Sequence, residues 1–298
     1  MIIFAGVASG CLDSISSLCN DVWELSNANG LGGIPGWAQL LPAGPAESCA
    51  DGVTASGPCP RHRSTSIYDI QSTRMIVFGG VFCCVSVSFF NDVWVLTLPP
   101  HTTSTVVSPN PSTVIIGNTI TFTATVTDTG TGTVSSPAGT VTWSDGGAGG
   151  TFSASGVCTL SPSSSSSSTC SITYAPPTSS GTETITAVYS GDSTHASSSG
   201  SSSLTVQTPQ QAITSLKGQV SSLGPPTGPL NSGQVNSLLV KLNQAIANLN
   251  AGKKTPACNQ LQAFINEVQS LISNGVLTAA QGDPLISQAQ AIRSAVPC

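Results

Sequence analysis

The sequence predicts a multidomain, mainly β chain that ends in α-helices, and three observations carry that prediction. Two stretches in the first hundred residues repeat one another, MIIFAG with NDVWEL and MIVFGG with NDVWVL. From Thr102 onward apolar and hydroxylated residues alternate, as in ITFTATVT, which is the pattern of a sheet with one buried and one wet face. After Pro209 the apolar period lengthens to about 3.6, that of an α-helix. A chain of 298 residues accommodates two or three separate cores. The changes of texture place the segments at residues 1–100, 101–208 and 209–298.

The opening MIIFAGVASGC allows two readings: a lipoprotein-like signal with Cys11 as its lipid anchor, or a strand. A signal needs a basic stretch ahead of the apolar run, and no Lys or Arg occurs before Arg61. The second copy decides for the strand. Asp21 and Asp92 are 71 positions apart and Phe4 and Phe78 are 74 apart, so the connecting loops differ in length while the strands match. RSTSIYD, with Tyr68 and Asp69, precedes the second copy, and GWAQLLP, with Trp37, follows the first. Gly79-Gly80, Asn91-Asp92-x-Trp94 and the RSTSIYD strand resemble the Kelch repeat, the four-stranded blade of a β-propeller also found in galactose-oxidase-like proteins. Ser64 stands where that family often has a His. The resemblance covers about a third of the chain and implies about one and a half blades, a partial β-propeller. Because a propeller closes with four to eight blades, the expectation is a fragment whose upstream blades and signal peptide are missing, or open blade edges that pair with another copy.

In the second segment GTVTWSDG, SITYA, TITAVYSGD and SLTV, spaced by Gly, Pro and Asp turns, extend ITFTATVT into an antiparallel sandwich of about seven strands. STVVSPNPSTVIIGNTITFTATVT, GTVTWSDG and TITAVYSGDSTHASSSGSSSLTV resemble a bacterial Ig-like repeat domain, which implies a core position for Trp143. Cys158 and Cys170 bracket SPSSSSSST and do not sit where an inter-sheet immunoglobulin bridge would fall relative to Trp143. A bridge between them is expected to close a polar loop, worth roughly 3 kcal/mol by chain entropy.

The third segment carries two apolar stripes, Val235, Leu238, Leu239, Leu242, Ile246 and Leu249, then Leu261, Phe264, Ile265, Val268, Leu271 and Ile272. ITSLKGQVSSL precedes them and LISQAQAIRSAV follows, with helix stops at Gly252 and Gly275 and Pro284 near the start of the last helix. The expected α-helical bundle has three or four helices. If its last two helices run antiparallel, Cys258 and Cys298 meet. LNSGQVNSLLVKLNQAIANLNAG, ACNQLQAFINEVQSLISNG and LTAAQGDPLISQAQAI resemble the FIMAH domain, a C-terminal module of secreted bacterial proteins without an established catalytic role.

Charge and cysteine usage set the expected surroundings. Only 7% of residues are charged, against about 25% for an ordinary soluble protein, and the net charge is -5. Nucleic acid and anionic membranes are bound through basic patches, so neither is an expected partner. No apolar run reaches the length of about 20 residues that spans a bilayer. Ten cysteines beside three histidines, with no CxxC pair, indicate disulfides and an oxidising, extracellular or cell-surface location. The candidate pairs are Cys11 with Cys19, Cys49 with Cys59, Cys158 with Cys170, and Cys258 with Cys298. Adjacent Cys83 and Cys84 allow a vicinal bridge, two separate partners or an intermolecular bond.

Chemistry is sparse. No histidine sits in a nucleophile motif; His101 and His195 fall in a linker and a turn, where an exposed structural histidine is expected. His62, beside Arg61 in a loop, is the weak ligand candidate. Asp145 in SDGGAGG and Asp192 in SGDS read as turn residues before calcium ligands, since calcium needs six to eight oxygens. A turn-capping role is expected for Asp21 and Asp92. The function expected is non-catalytic adhesion or binding of an extracellular glycan or protein, without cofactor or metal. The alternatives are the binding and spacer end of a larger secreted enzyme, or a filament subunit whose open edges self-associate.

Overall fold

A computed structural model describes residues 2–7, 18–26, 36–41, 53–54, 57–58, 65–69, 74–83, 87–97, 99–296 and 298. In the first segment the repeated stretches form two antiparallel three-stranded sheets. β1 (Ile2–Val7), β2 (Leu18–Ser26) and β3 (Gly36–Leu41) make the first. β4 (Val53–Thr54) and β5 (Gly57–Pro58) pair between them. β6 (Thr65–Asp69), β7 (Arg74–Cys83) and β8 (Val87–Thr97) make the second.

The repeat extends to register. Phe4 pairs with Val22 and Phe78 with Val93; Ile3 pairs with Trp23 and Val77 with Trp94; both ladders then slip, between Phe4 and Gly6 and between Phe78 and Gly80. Gly-containing bulges at matching places are what a repeated Phe-x-Gly strand end produces. Ile76, Phe78, Val93 and Val95 share one face of the second sheet. Phe78, Val93 and Val95 are exposed there, while Val77 on the opposite face is buried.

The sandwich spans two sheets. One has the order β10 (Ser112–Ile115), β18 (Ser198–Gln207), β17 (Gly181–Tyr189), β12 (Thr140–Ser144), β14 (Val157–Thr159). The other has the order β13 (Thr151–Phe152), β16 (Ser167–Ala175), β11 (Ile120–Asp128), β9 (Thr103–Ser108), with β15 (Ser161–Pro162) on β16. Ten strands replace the expected seven or so for two reasons. Pro109 and Pro111, which cannot donate to a ladder, divide the front strand so that β9 joins one sheet and β10 the other. The stretch closed by Cys158 and Cys170 supplies short strands of its own. The alternation places Phe122, Ala124 and Val126 in the core with Trp143, Tyr174, Ile185, Tyr189 and Leu204.

Four helices follow: α1 (Pro209–Ser222), α2 (Ser232–Asn250), α3 (Lys254–Ser273) and α4 (Ala279–Ala295). Thr208 and Asn231 each form a capping box with the Gln three residues on, satisfying two N–H donors apiece, while at Thr278 the Gln281 side chain accepts from the Thr278 N–H and hydroxyl. Gly252 and Gly275 take φ near +70° just past α2 and α3, where a left-handed residue ends a helix without Cβ strain. α4 starts six residues before the LISQAQAIRSAV stretch, so Pro284 lies inside it. The Thr278 cap selects that earlier start, within whose first two turns Pro284 forfeits one helical hydrogen bond. Leu216, Leu238, Leu242, Leu261, Phe264, Val268, Leu285 and Ile292 lie in one core.

The sandwich and the helices touch directly. Ile115, at the end of β10, is buried in the helical core, and Asn118 Nδ2 donates to the Ala291 carbonyl at 2.7 Å. Gly117 between them has φ +102°, and a Cβ there would stand 2.6 Å from the Ala295 carbonyl oxygen.

Candidate functional site

The densest polar cluster among the described residues sits where the chain enters the sandwich. His101 precedes β9 and is bound to the β17–β18 turn by two backbone hydrogen bonds, its N–H to Thr194 O and Ala196 N–H to its own carbonyl, both 2.8 Å. Asp128, 4% exposed, closes β11 on the inward side of the alternation. Its oxygens accept from Gly130 N–H (2.8 Å), Ser135 N–H (2.9 Å) and His101 Nδ1 (2.9 Å). His195, 2% exposed, lies beside it. Nδ1 of His195 is 2.8 Å from Asp192 Oδ2, and Nε2 is 3.4 Å from Asp128 Oδ2 and 3.2 Å from both the carbonyl and the hydroxyl of Ser135.

This corrects the expectation of an exposed histidine at 195: the turn folds inward because two carboxylates supply the partners a buried ring needs. Sequence reasoning missed the cluster, yet a signal was there. Asp128 continues the inward series Phe122, Ala124, Val126, and a carboxylate on a core-facing position needs buried donors.

Both carboxyls are held below the usual carboxylate range. Burial of Asp192 opposes its charge, but N–H donors from Ala138 and Thr194, the His195 ring and the Thr194 hydroxyl outweigh it. For Asp128 burial is likewise outweighed, by the Ser135 and Gly130 N–H groups and by His101.

Asp192, His195 and Ser135 line up in the order of a Ser-His-Asp triad, but the ring's surroundings give it another task. A general base needs a free lone pair on the nitrogen that meets the serine. Nε2 of His195 instead faces the Asp128 carboxylate and the Ser135 carbonyl, acceptors that select an N–H there. The ring fastens the 129–138 loop and the 190–197 turn onto the end of β11.

Asp145 and Asp192, weighed as calcium ligands, spend their oxygens internally. Asp145 accepts from the N–H groups of Gly147, Gly149 and Gly150 and from the Tyr174 hydroxyl. Burial and the Glu183 carboxylate push the Tyr174 hydroxyl well above its usual range, and burial and Asp192 do the same for Tyr189. Among the described residues no group of three or more His, Cys, Asp or Glu side chains is arranged to hold a metal ion. No described helix is long and apolar enough to cross a membrane.

Cys158 and Cys170 are joined. Cys158 lies on β14 in one sheet and Cys170 on β16 in the other, so the bridge closes the Ser-rich loop as expected and also staples the two sheets. Trp143 Nε1 donates to Cys158 Sγ at 3.1 Å. The spacing rule for immunoglobulin bridges fails here because β14 is an added edge strand paired to β12. Cys258 and Cys298 are joined as well, across 40 residues. Cys19 and Cys83 lie on β2 and β7. Cys11, Cys49, Cys59, Cys84, Arg61 and His62 lie outside the described residues.

A half-open cleft of about 360 Å³ opens between sandwich and helices, lined by Ile115, Asn118, Ile120, Gln207, Gln288 and Ala291 among others, none of them charged.

Two packed, mainly antiparallel sheets, a tryptophan against an inter-sheet disulfide and a split front strand define an Ig-like sandwich. Residues 106–207 match the family model of the bacterial Ig-like domain (group 3). Among solved structures, the chain is similar to domains 4 and 5 of the S-layer protein SbsC, at 14% identity over 63% of this chain and 90% of that one, TM-score 0.24. It is also similar to domains 1–6 of the same surface layer protein (14%, 64% and 23%, TM-score 0.23) and to the bacterial hydrophobin BslA (10%, 37% and 98%, TM-score 0.20). No curated protein matches this chain.

Proposed function

We propose that the chain is a non-catalytic extracellular or cell-surface protein, in which three modules at residues 1–100, 101–208 and 209–298 act in adhesion to a glycan or protein. The observation that carries the reading is the Cys158–Cys170 bridge inside a bacterial Ig-like domain, because such bridges persist in oxidising surroundings. The spending of the Asp128, His195 and Asp192 side chains on holding loops supports a structural over a catalytic role for the sandwich. The matching registers of the two three-stranded sheets support the Kelch-type reading of the first segment, and the four capped helices support the FIMAH-type bundle. The uncharged lining of the cleft suits a neutral ligand better than an ionic one.

The exposed face of Phe78, Val93 and Val95 favours a second reading, self-association of the first segment into a filament. The test is fractionation of the native source with thiols alkylated before lysis, followed by mass measurement with and without reductant. Recovery outside the cytoplasm with Cys158 and Cys170 protected is expected; a cytoplasmic protein with both thiols labelled overturns the proposal. A mass that collapses on reduction favours the filament, and a longer single polypeptide favours the spacer end of a larger enzyme.

A further inference from the structure

We infer that residues 103–207 form a tension-bearing unit in which β10 and β18 act as a shear clamp between the chain that enters at β9 and the helices that leave at α1. This is a property of the topology and stands apart from the surface reading. β10 pairs with β18 in parallel, from Ser112 opposite Leu204 to Ile115 opposite Gln207. β9 also runs alongside β18 in the same sense, with Thr103 Oγ1 2.7 Å from Ser198 Oγ. The chain therefore enters beside the first residue of β18 and leaves after its last, about 33 Å away for ten residues of strand. A pull on the two flanks runs along the strands, and the ladder bonds share it. Neighbouring strands pulled apart from the same end give way one bond at a time.

The seam carries more than its ladder. Asn110 Nδ2 donates to Ser201 O (3.3 Å) and Asn110 Oδ1 accepts from Ser203 N–H (3.1 Å). Ser202 Oγ donates to Pro109 O at 2.7 Å, Thr103 Oγ1 to Ala196 O at 2.8 Å, and Ser112 Oγ to Ser203 O at 3.4 Å. β18 reads SSGSSSLTVQ, poor in the branched residues that favour strands. These hydrogen bonds give its serines and glycine a use: small hydroxylated residues let β9 and β10 come close, and a Cβ at Gly200 would lie 2.2 Å from Thr105 O. Beyond β10 the Asn118–Ala291 bond ties the clamp strand to α4, so the helical side grips both strands of the seam.

The test is single-molecule force spectroscopy on the full chain, held first by handles at its two ends. Opening of the unit is recognised by a lengthening of roughly 300 Å, the reach of the freed chain with the Cys158–Cys170 loop closed; reductant adds about 40 Å to it. The N-terminal handle is then moved to a ligatable tag after Ser180, whose neighbour Gly181 pairs with Val206 at the exit end. There the force should be lower by about twofold or more, because each bond resists alone. Equal forces in the two geometries overturn the clamp. Asn110→Ala, at an exposed position, should lower the end-to-end force and leave the Ser180 geometry unchanged. An equal fall in both would remove Asn110 from the seam.

Discussion

The sandwich and the helices solve the same problem with different materials. All five buried polar side chains among the described residues, Thr105, Asp128, Ser168, His195 and Ser202, belong to the sandwich. The helical core is aliphatic apart from Phe264 and the Cys258 sulfur. The sandwich thus depends on directional bonds, a carboxylate meeting a particular donor, while the helices depend on apolar shape and on caps at their ends. One half should respond to proton concentration and the other should hardly notice it. The ion pair that joins α2 to α3, Lys241 with Glu267, is partly exposed, and such pairs contribute about 0–1 kcal/mol.

The largest way to separate the halves is to hollow each core. Phe264→Ala should cost the helices about 3–5 kcal/mol, and Trp143→Ala a similar amount in the sandwich. Residue-level hydrogen exchange should show each loss concentrated on its own side, and a uniform loss would merge the two regions into one cooperative unit. Reduction comes next: the chain-entropy model assigns about 4 kcal/mol to the Cys258–Cys298 bridge and about 3 to Cys158–Cys170. Denaturant midpoints of the Cys→Ser variants check the order.

The third test uses acid and is the sharpest on the contrast itself. Asp128 and Asp192 are held below their usual range in the fold, so they stabilise it above the unfolded carboxyl value near 3.9, and that stability is lost as pH falls from there. Asp192→Asn should flatten the acid limb of the sandwich and leave the helical melt unaltered; an equal acid limb in the helices would erase the distinction. At the alkaline end the raised Tyr174 and Tyr189 hydroxyls stay neutral in the fold, so sandwich stability should decline as pH rises above about 10. The smallest effect belongs to the junction. Asn118→Ala removes one cross-junction bond and should cost about 1 kcal/mol, seen as faster exchange at the end of β10 and in α4.

What was legible in the sequence follows the same division. Period-two alternation identified a two-sheet sandwich because Phe122, Ala124 and Val126 pack by apolar contact alone and need no particular distant partner. The helical stripes were readable for the same reason, as Leu238, Leu242, Leu261, Phe264 and Val268 fall on one period and one core. Features set by distant partners were not readable. His195 is buried by carboxylates 67 and 3 residues away, and only the inward parity of Asp128 hinted at it. The Cys158–Cys170 pair was readable from spacing, but its role as an inter-sheet staple depends on β14 leaving the expected strand set. The start of α4 was misplaced because Pro284 is a stronger local mark than the Thr278 and Gln281 cap that overrides it.

The Cys258–Cys298 bridge joins the first turns of α3 to a residue three positions beyond α4 and makes both helices part of one covalent ring. A protease that cuts the turn between them, at Val276 or Leu277, linearises that ring without dividing the polypeptide into two molecules. The nicked protein keeps every heavy atom, gains one water, and on a non-reducing gel is still a single species. Damage at that turn therefore stays hidden until a reductant is added, and the helices can remain docked through the core they already share.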